Sequence, residues 1–107
     1  MVRRIYIAGP YNAKTTEQVL DNIAKAEFAA AEFVSNGDYI YIPHKATALM
    51  GAKEIDEEYF YKLHIDILKK WASHVYFIKG WKGSVGCLRE LKAAYKFKKM
   101  VIFEEER

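Results

Sequence analysis

The sequence predicts an α/β domain in which a parallel sheet lies between two helical layers, and three observations carry that expectation. Short apolar or aromatic runs alternate along the chain with longer stretches of helical period. Each run ends at a turn rich in glycine, proline or small polar residues. The 107 residues, 51% hydrophobic and 29% charged, suit one core and one domain over 1–107, with no repeat or linker to divide it.

The first strand is expected over Arg3–Ala8, ending at the turn Gly9-Pro10-Tyr11-Asn12. Thr15-Thr16-Glu17-Gln18 carries a capping signal for a first helix, in which Val19, Ile23, Ala26, Ala30, Phe33 and Val34 recur near the helical period. Asn36-Gly37 supplies the left-handed residue that closes it. Tyr39–Ile42 reads as a second strand stopped by Pro43, and His44–Met50 fits a short helix or an ordered loop. A longer helix is expected from about Ile55 to Trp71, its inner stripe marked by Tyr59, Leu63, Ile67 and Trp71. A third strand over His74–Ile78, a helix over Ser84–Phe97 and a fourth strand over Met100–Phe103 complete the chain. Strands that alternate with helices pair in parallel and cross over with the right hand. The result is a Rossmann-like, flavodoxin-like three-layer αβα sandwich of four to five strands. Ligands of such sheets bind at the carboxyl ends of the strands, which here are Gly9–Asn12, Pro43-His44 and Gly80–Gly86.

Composition narrows the function. The basic start is followed by an apolar run too short for a signal peptide and broken by Gly9-Pro10, and no stretch is long and apolar enough for a membrane. The single Cys87 excludes an internal disulfide, fits a reducing cytoplasm and reads as a small packing residue. A net charge of +3, with Lys92, Lys96, Lys98 and Lys99 interspersed among apolar positions, suits a phosphate-bearing small molecule better than a nucleic acid. No histidine, cysteine or acidic cluster has metal spacing, so no metal is expected, and His64 and His74 read as surface or packing residues. The dinucleotide fingerprint, the phosphate-loop lysine, the nucleophile elbow and a Cys/His pair are all absent, so no cofactor is expected either.

Chemistry concentrates in Gly80-Trp81-Lys82-Gly83-Ser84-Val85-Gly86-Cys87-Leu88-Arg89-Glu90-Leu91. Ser84 can cap the helix, and Gly86 lies four residues before Glu90 on the same face. Helical side chains lean toward the N-terminus, so the Glu90 carboxylate should lie over the opening that Gly86 leaves. The helix dipole favours an ionised acid there, which makes Glu90 a candidate nucleophile; a solvated turn with a lysine partner is the plain alternative. Asp66 falls at the edge of the expected inner stripe, where it either pairs with Lys62 or Lys70 or projects into the cleft of Glu90. Two carboxylates flanking one bond are the equipment for cleaving a glycosidic bond through a covalent sugar ester. Tyr6 points to the face of the first strand opposite Ile5 and Ile7, either as a core tyrosine or as a holder of the attacking acid. His44, at the end of the second strand, is a turn histidine or a base or phosphate contact.

Taken together, Ile5-Tyr6-Ile7-Ala8-Gly9-Pro10, Asp66 on the long helix, and Gly80-Trp81 followed by Ser84-x-Gly86-x-x-x-Glu90-Leu91 resemble the nucleoside 2-deoxyribosyltransferase superfamily, in particular its small phage and prokaryotic branch. The similarity spans nearly the whole chain. It implies that Glu90 attacks the anomeric carbon, that Asp66 contacts the sugar or assists proton transfer, and that Tyr6 orients the nucleophile. Gly9, Pro10, Tyr11, His44, Ser84 and Gly86 would then line the substrate site, with Ser84 on the 5′-phosphate as in the nucleotide N-hydrolases. The implied function is cleavage or exchange of the N-glycosidic bond of a nucleoside or nucleoside monophosphate, in a cytoplasmic homodimer or larger homo-oligomer. The rival expectation is a protein that holds a nucleotide or an ADP-ribose-type signal in the same pocket without turnover.

Overall fold

The computed structural model describes residues 2–10, 15–46 and 57–104. Tyr11, Asn12 and the stretch from Thr47 to Asp56 lie outside the described residues. Four strands, β1 (Arg4–Ala8), β2 (Tyr39–Tyr41), β3 (His74–Phe77) and β4 (Met100–Phe103), form one sheet in the order β2-β1-β3-β4. All its pairings are parallel. Between the strands run α1 (Thr16–Ser35), the short α2 (Pro43–Ala46), α3 (Glu57–Trp71) and α4 (Val85–Lys96), the last preceded by a 3-10 turn at Trp81–Gly83.

Local chemistry sets the ends of these elements. Thr15 caps α1 by accepting from the Gln18 amide at 3.1 Å, and Gly37 with φ +84° lets the chain leave it. Ser84 caps α4 in the same way, accepting from the Cys87 amide at 3.2 Å.

Alternation along β1 divides the interior in two. Ile5 and Ile7 pack with Ala26, Ala29, Ala30, Phe33 and Tyr76 under α1. Tyr6 and Ala8 pack with Leu68, Ala72, Phe77, Cys87, Ala93 and Ala94 under α3 and α4. The sheet therefore sits between one helix and two, a three-layer αβα sandwich.

The stripe expected on α1 holds at Ile23, Ala26, Ala30 and Phe33, which are buried, whereas the one expected on α3 rotates. Val34 is exposed on α1. On α3, Tyr59 is exposed while Leu68, and Ala72 just after the helix, are fully buried; Ile65 packs beside them, as does Trp71 as expected, so the inner face runs through 65, 68 and 71 and not through Tyr59, Leu63 and Ile67. α3 carries apolar residues on more than one side, so period alone does not fix its rotation.

The chain passes outward from β1 to β2 and then returns past β1 to β3, which places the topological switch point between the carboxyl ends of β1 and β3. There a side chain on Gly9 would lie 2.8 Å from Ile78 Cδ1. Gly80, at φ +98°, turns the chain where a Cβ would meet Pro10 Cγ at 3.8 Å. Among the described residues no helix is long and apolar enough to cross a membrane.

Candidate functional site

Every described site residue but one stands at or beneath this carboxyl edge. Tyr6 is the central side chain of β1, fully buried on the α3/α4 face. Its hydroxyl donates a hydrogen bond to Glu90 Oε2. Residues 84 apart in the chain thus meet because β1 lies beside β3 and α4 lies over both.

The environment of this pair decides its protonation. Burial, opposed by the hydrogen bond from Tyr6, lifts the Glu90 carboxyl to about 7. Burial and the Glu90 charge push the Tyr6 hydroxyl well above its ordinary value, so it remains a donor. The expectation that the helix dipole keeps Glu90 ionised is corrected here. Glu90 is the sixth residue of α4, beyond the first turn where the dipole acts, and desolvation wins.

Glu90 nevertheless keeps a partial opening to solvent. Gly86 lies one turn before it, and a Cβ there would meet Ser84 Oγ at 3.8 Å. Arg89 does not close the opening. Its guanidinium turns to α3, lying 3.3 Å from the Tyr61 ring centroid and 3.2 Å from Glu58 Oε2. Cys87, buried beneath, is a packing residue whose thiol burial and the Glu90 charge push up to about 12, so it is no nucleophile at neutral pH.

Asp66 is the exception. Its carboxylate is exposed and pairs with Lys70, one turn further along α3, at 3.2 Å. With Leu68 at the centre of the inner face, a residue two positions earlier points about 160° away from it. The rotation of the α3 stripe thus carries Asp66 to solvent, and the paired-carboxylate arrangement is not formed in this structure.

What α3 does bring to the site is His64, expected from the sequence to be a surface or packing residue. Its Nδ1 lies 3.2 Å from the Tyr41 hydroxyl. The Tyr41 ring in turn packs against Tyr6, with centroids 5.8 Å apart. Burial and the neighbouring His44 hold His64 down at about 4, so it is neutral at pH 7. His44 is buried in α2, and its Nε2 donates to the Pro10 carbonyl at 2.9 Å, tying the end of β2 to the end of β1. The tyrosine and both histidines extend the polar line from Glu90 across three strand ends. Alternation along β2 could have shown Tyr41 on the same face as Tyr6, and spacing four residues before Leu68 could have placed His64 inward.

Gly9, Pro10, His44, Ser84 and Gly86 therefore stand at the strand ends with Tyr6 and Glu90, and Tyr11 lies outside the described residues. Among the described residues no group of three or more histidines, cysteines and acids could hold a metal ion. The chemistry available is that of one buried carboxyl with a raised pKa, a fixed hydroxyl donor and neutral imidazoles beside a helix N-terminus.

No curated protein matches the chain. One family model does, over residues 3–103, which takes in every strand and the whole Tyr6–Glu90 site: the chain belongs to the DUF4406 family, a domain of unknown function.

Proposed function

We propose that the protein cleaves or exchanges the N-glycosidic bond of a nucleoside or nucleoside monophosphate, with Glu90 as the nucleophile. The observation that carries this reading is the hydrogen bond from Tyr6 to Glu90 at the switch point of the sheet. It leaves one carboxylate oxygen uncommitted to the tyrosine. The motif resemblance to nucleoside 2-deoxyribosyltransferases supports the same residue in the same role.

In the ionised form, a Glu90 oxygen attacks C1′ of the sugar. The C1′–O ester bond forms as the C1′–N bond breaks, its electron pair leaving with the base, which takes up one proton from solvent. Water or a second base then attacks C1′, loses a proton and returns the carboxylate. Tyr6 holds the oxygen that does not attack and stabilises the ionised form. Ser84 and the first amides of α4 face the same edge and suit a 5′-phosphate, which favours the nucleotide over the free nucleoside. With Asp66 turned to solvent, the proposal rests on a single carboxylate and not on the pair that the sequence suggested.

The rival, a sequestering protein without turnover, draws on one observation: a carboxyl with a pKa of about 7 is largely protonated in mildly acid solution and then binds hydroxyls without attacking carbon. Incubation with a panel of nucleosides and nucleoside monophosphates, with free base and intact protein mass as readouts, separates the two. Base release together with a sugar adduct on Glu90, both lost in Glu90→Ala, is the expected result. Saturable binding with no release at pH 8, where Glu90 is ionised, would establish the sequestering role instead.

A further inference from the structure

We infer that the amino-terminal edge of the sheet, opposite the Tyr6–Glu90 site, binds single-stranded nucleic acid through a cluster of cations set among exposed aromatic rings. Contacts within the structure hold the cluster together. Arg4, the first residue of β1, donates from Nε to the Trp71 carbonyl at the end of α3. Lys99 donates from Nζ to the Lys69 carbonyl, two residues earlier, at 2.8 Å. Lys69 and Lys96 set their ammonium groups 5.2 and 5.5 Å from the centroid of the Phe97 ring. Lys98 completes the group at the turn from α4 to β4.

These charges are close together and uncancelled. The last carbonyls of a helix attract cations, and Arg4 and Lys99 serve α3 in that way, but a carbonyl accepts a donor without neutralising its charge. Among the described residues no ion pair takes in Arg4, Lys69, Lys96, Lys98 or Lys99, while Asp38 and Asp66 are engaged by Arg3 and Lys70. Burial, and after it the charge of Arg4, pull the Lys99 ammonium below its ordinary value, a strain that a bound anion would relieve. Lys98 stands at φ +58°, the left-handed position that closes α4 and that glycine takes without a clash. Its amide donates to the Tyr95 carbonyl at 3.2 Å, and that of Lys99 to the Ala94 carbonyl at 2.9 Å. A lysine there adds a charge where backbone geometry asks for none. The net charge of +3 understates this edge because folding sorts the charges: Glu17, Asp21, Glu27 and Glu32 all lie on α1, across the sheet from α3 and α4.

The rings choose among polyanions. Tyr95, in the last turn of α4, is 59% exposed, Met100 at the start of β4 is 63% exposed, and Phe97 between them is partly so. An acidic peptide answers the charges but brings no flat group to stack on the rings. A duplex keeps its bases stacked on one another. A single strand supplies both partners, phosphates for the cations and unpaired bases for the aromatic faces. The edge lies at the far end of the strands from Glu90, so the inference does not rest on the catalytic reading.

Fluorescence anisotropy tests it, with the whole chain titrated into a labelled single-stranded DNA of mixed sequence, about 12 nucleotides long, in about 50 mM salt. Saturable binding in the micromolar range is expected, with a logarithmic salt slope of about −2 to −3, as about three or four phosphate contacts require. Lys96→Glu/Lys98→Glu should raise the dissociation constant at least about tenfold and flatten the slope, whereas Lys25→Glu/Lys62→Glu, which removes the same charge elsewhere, should change it less than about threefold. All four lysines are exposed, so the fold should be kept. Tyr95→Ala should weaken binding about tenfold with the slope unchanged. No binding at about 100 μM protein overturns the inference. So does a duplex of the same sequence or polyglutamate that binds as tightly as the single strand, an equal loss in the two charge-reversed variants, or undiminished binding by Tyr95→Ala.

Discussion

The two faces of β1 are a natural experiment in what a sheet can carry. On one side Ile5 and Ile7 meet alanines and Phe33 of a single helix, an interior of aliphatic and aromatic side chains in which the Tyr76 hydroxyl reaches out to Glu104. On the other, Tyr6 meets Glu90, Tyr41 lies next to it, and His64 follows, under two helices. The second helix makes the difference: α3 and α4 together shelter polar groups from water and supply their partners, so a carboxyl can be held at a raised pKa without unfolding the domain. The face under α1 is apolar enough to be stable but is left partly bare. One strand thus divides the molecule into a chemical half and a structural half, with consecutive residues assigned to opposite roles.

The largest expected effects come from removing the central group of each half. Glu90→Gln keeps the shape and a hydrogen-bond acceptor but cannot form the ester, so base release should fall by a factor of about a thousand or more, read as kcat/KM on the best substrate. The fold should survive. Phe33→Ala instead empties the α1 face of a side chain that is 4% exposed and stacked edge-on to Tyr76. A loss of about 3–4 kcal/mol of stability in urea titration is expected, with kcat of the folded fraction close to wild type.

The polar half should also show itself in the pH dependence of stability, where two groups pull in opposite directions. Glu90 goes from an ordinary value of 4.5 to about 7 on folding, so the folded state holds a proton that the unfolded chain has released. Its contribution to stability is present below pH 4.5 and is lost as the pH rises through 7, about 3 kcal/mol in all. His64 goes from 6.5 to about 4, so its contribution is present above pH 6.5 and is lost as the pH falls through 4, by a smaller amount because this imidazole stays partly in contact with water. Between pH 4.5 and 6.5 the two slopes oppose each other. Glu90→Gln should therefore expose a stability that rises with pH in this window, and His64→Gln one that falls. Thermal unfolding of the two variants at pH 5 and 6.5 checks both signs, and equal slopes in the two would show that neither group is perturbed as described.

Tyr6→Phe sharpens the same point at the level of catalysis. It deletes the hydrogen bond that opposes desolvation, so the Glu90 pKa should move upward from about 7. The rising limb of kcat/KM against pH should follow it, with a loss of about tenfold to a hundredfold at pH 7. A merely structural tyrosine would lower the amount of folded protein and leave the position of that limb in place.

The order of elements was plain in the sequence because each is bounded by a cap or turn with a local cause. Thr15, Gly37, Pro43, Ser84 and Gly80 act through backbone chemistry that does not depend on the rest of the fold. Ser84, Gly86 and Glu90 could be placed together for the same reason, since they share a helix, and alternation on β1 turned Tyr6 toward them. What could not be read was the rotation of α3. Its apolar residues Tyr59, Leu63, Ile67 and Leu68 are spread around the helix, and it is the packing against the sheet and α4 together that buries Leu68 and Ala72. His64 was missed and Asp66 was overvalued for that one reason, because an angular error of about one residue, 100°, exchanges an inner position for an outer one.

Asp66→Asn is thus the substitution with the smallest expected effect and the most direct test of that rotation. The carboxylate pairs with Lys70 at 3.2 Å on an exposed surface, where such pairs contribute little. Stability should change by less than about 0.5 kcal/mol, and the change should vanish at high salt. In the geometry described, base release should fall by no more than about twofold, since no reacting atom lies within reach of an outward side chain. A loss comparable to that of Glu90→Gln would mean that α3 turns its acid inward when substrate is bound. The motif resemblance would then have located the second carboxylate correctly, and the division of labour would extend to both acids.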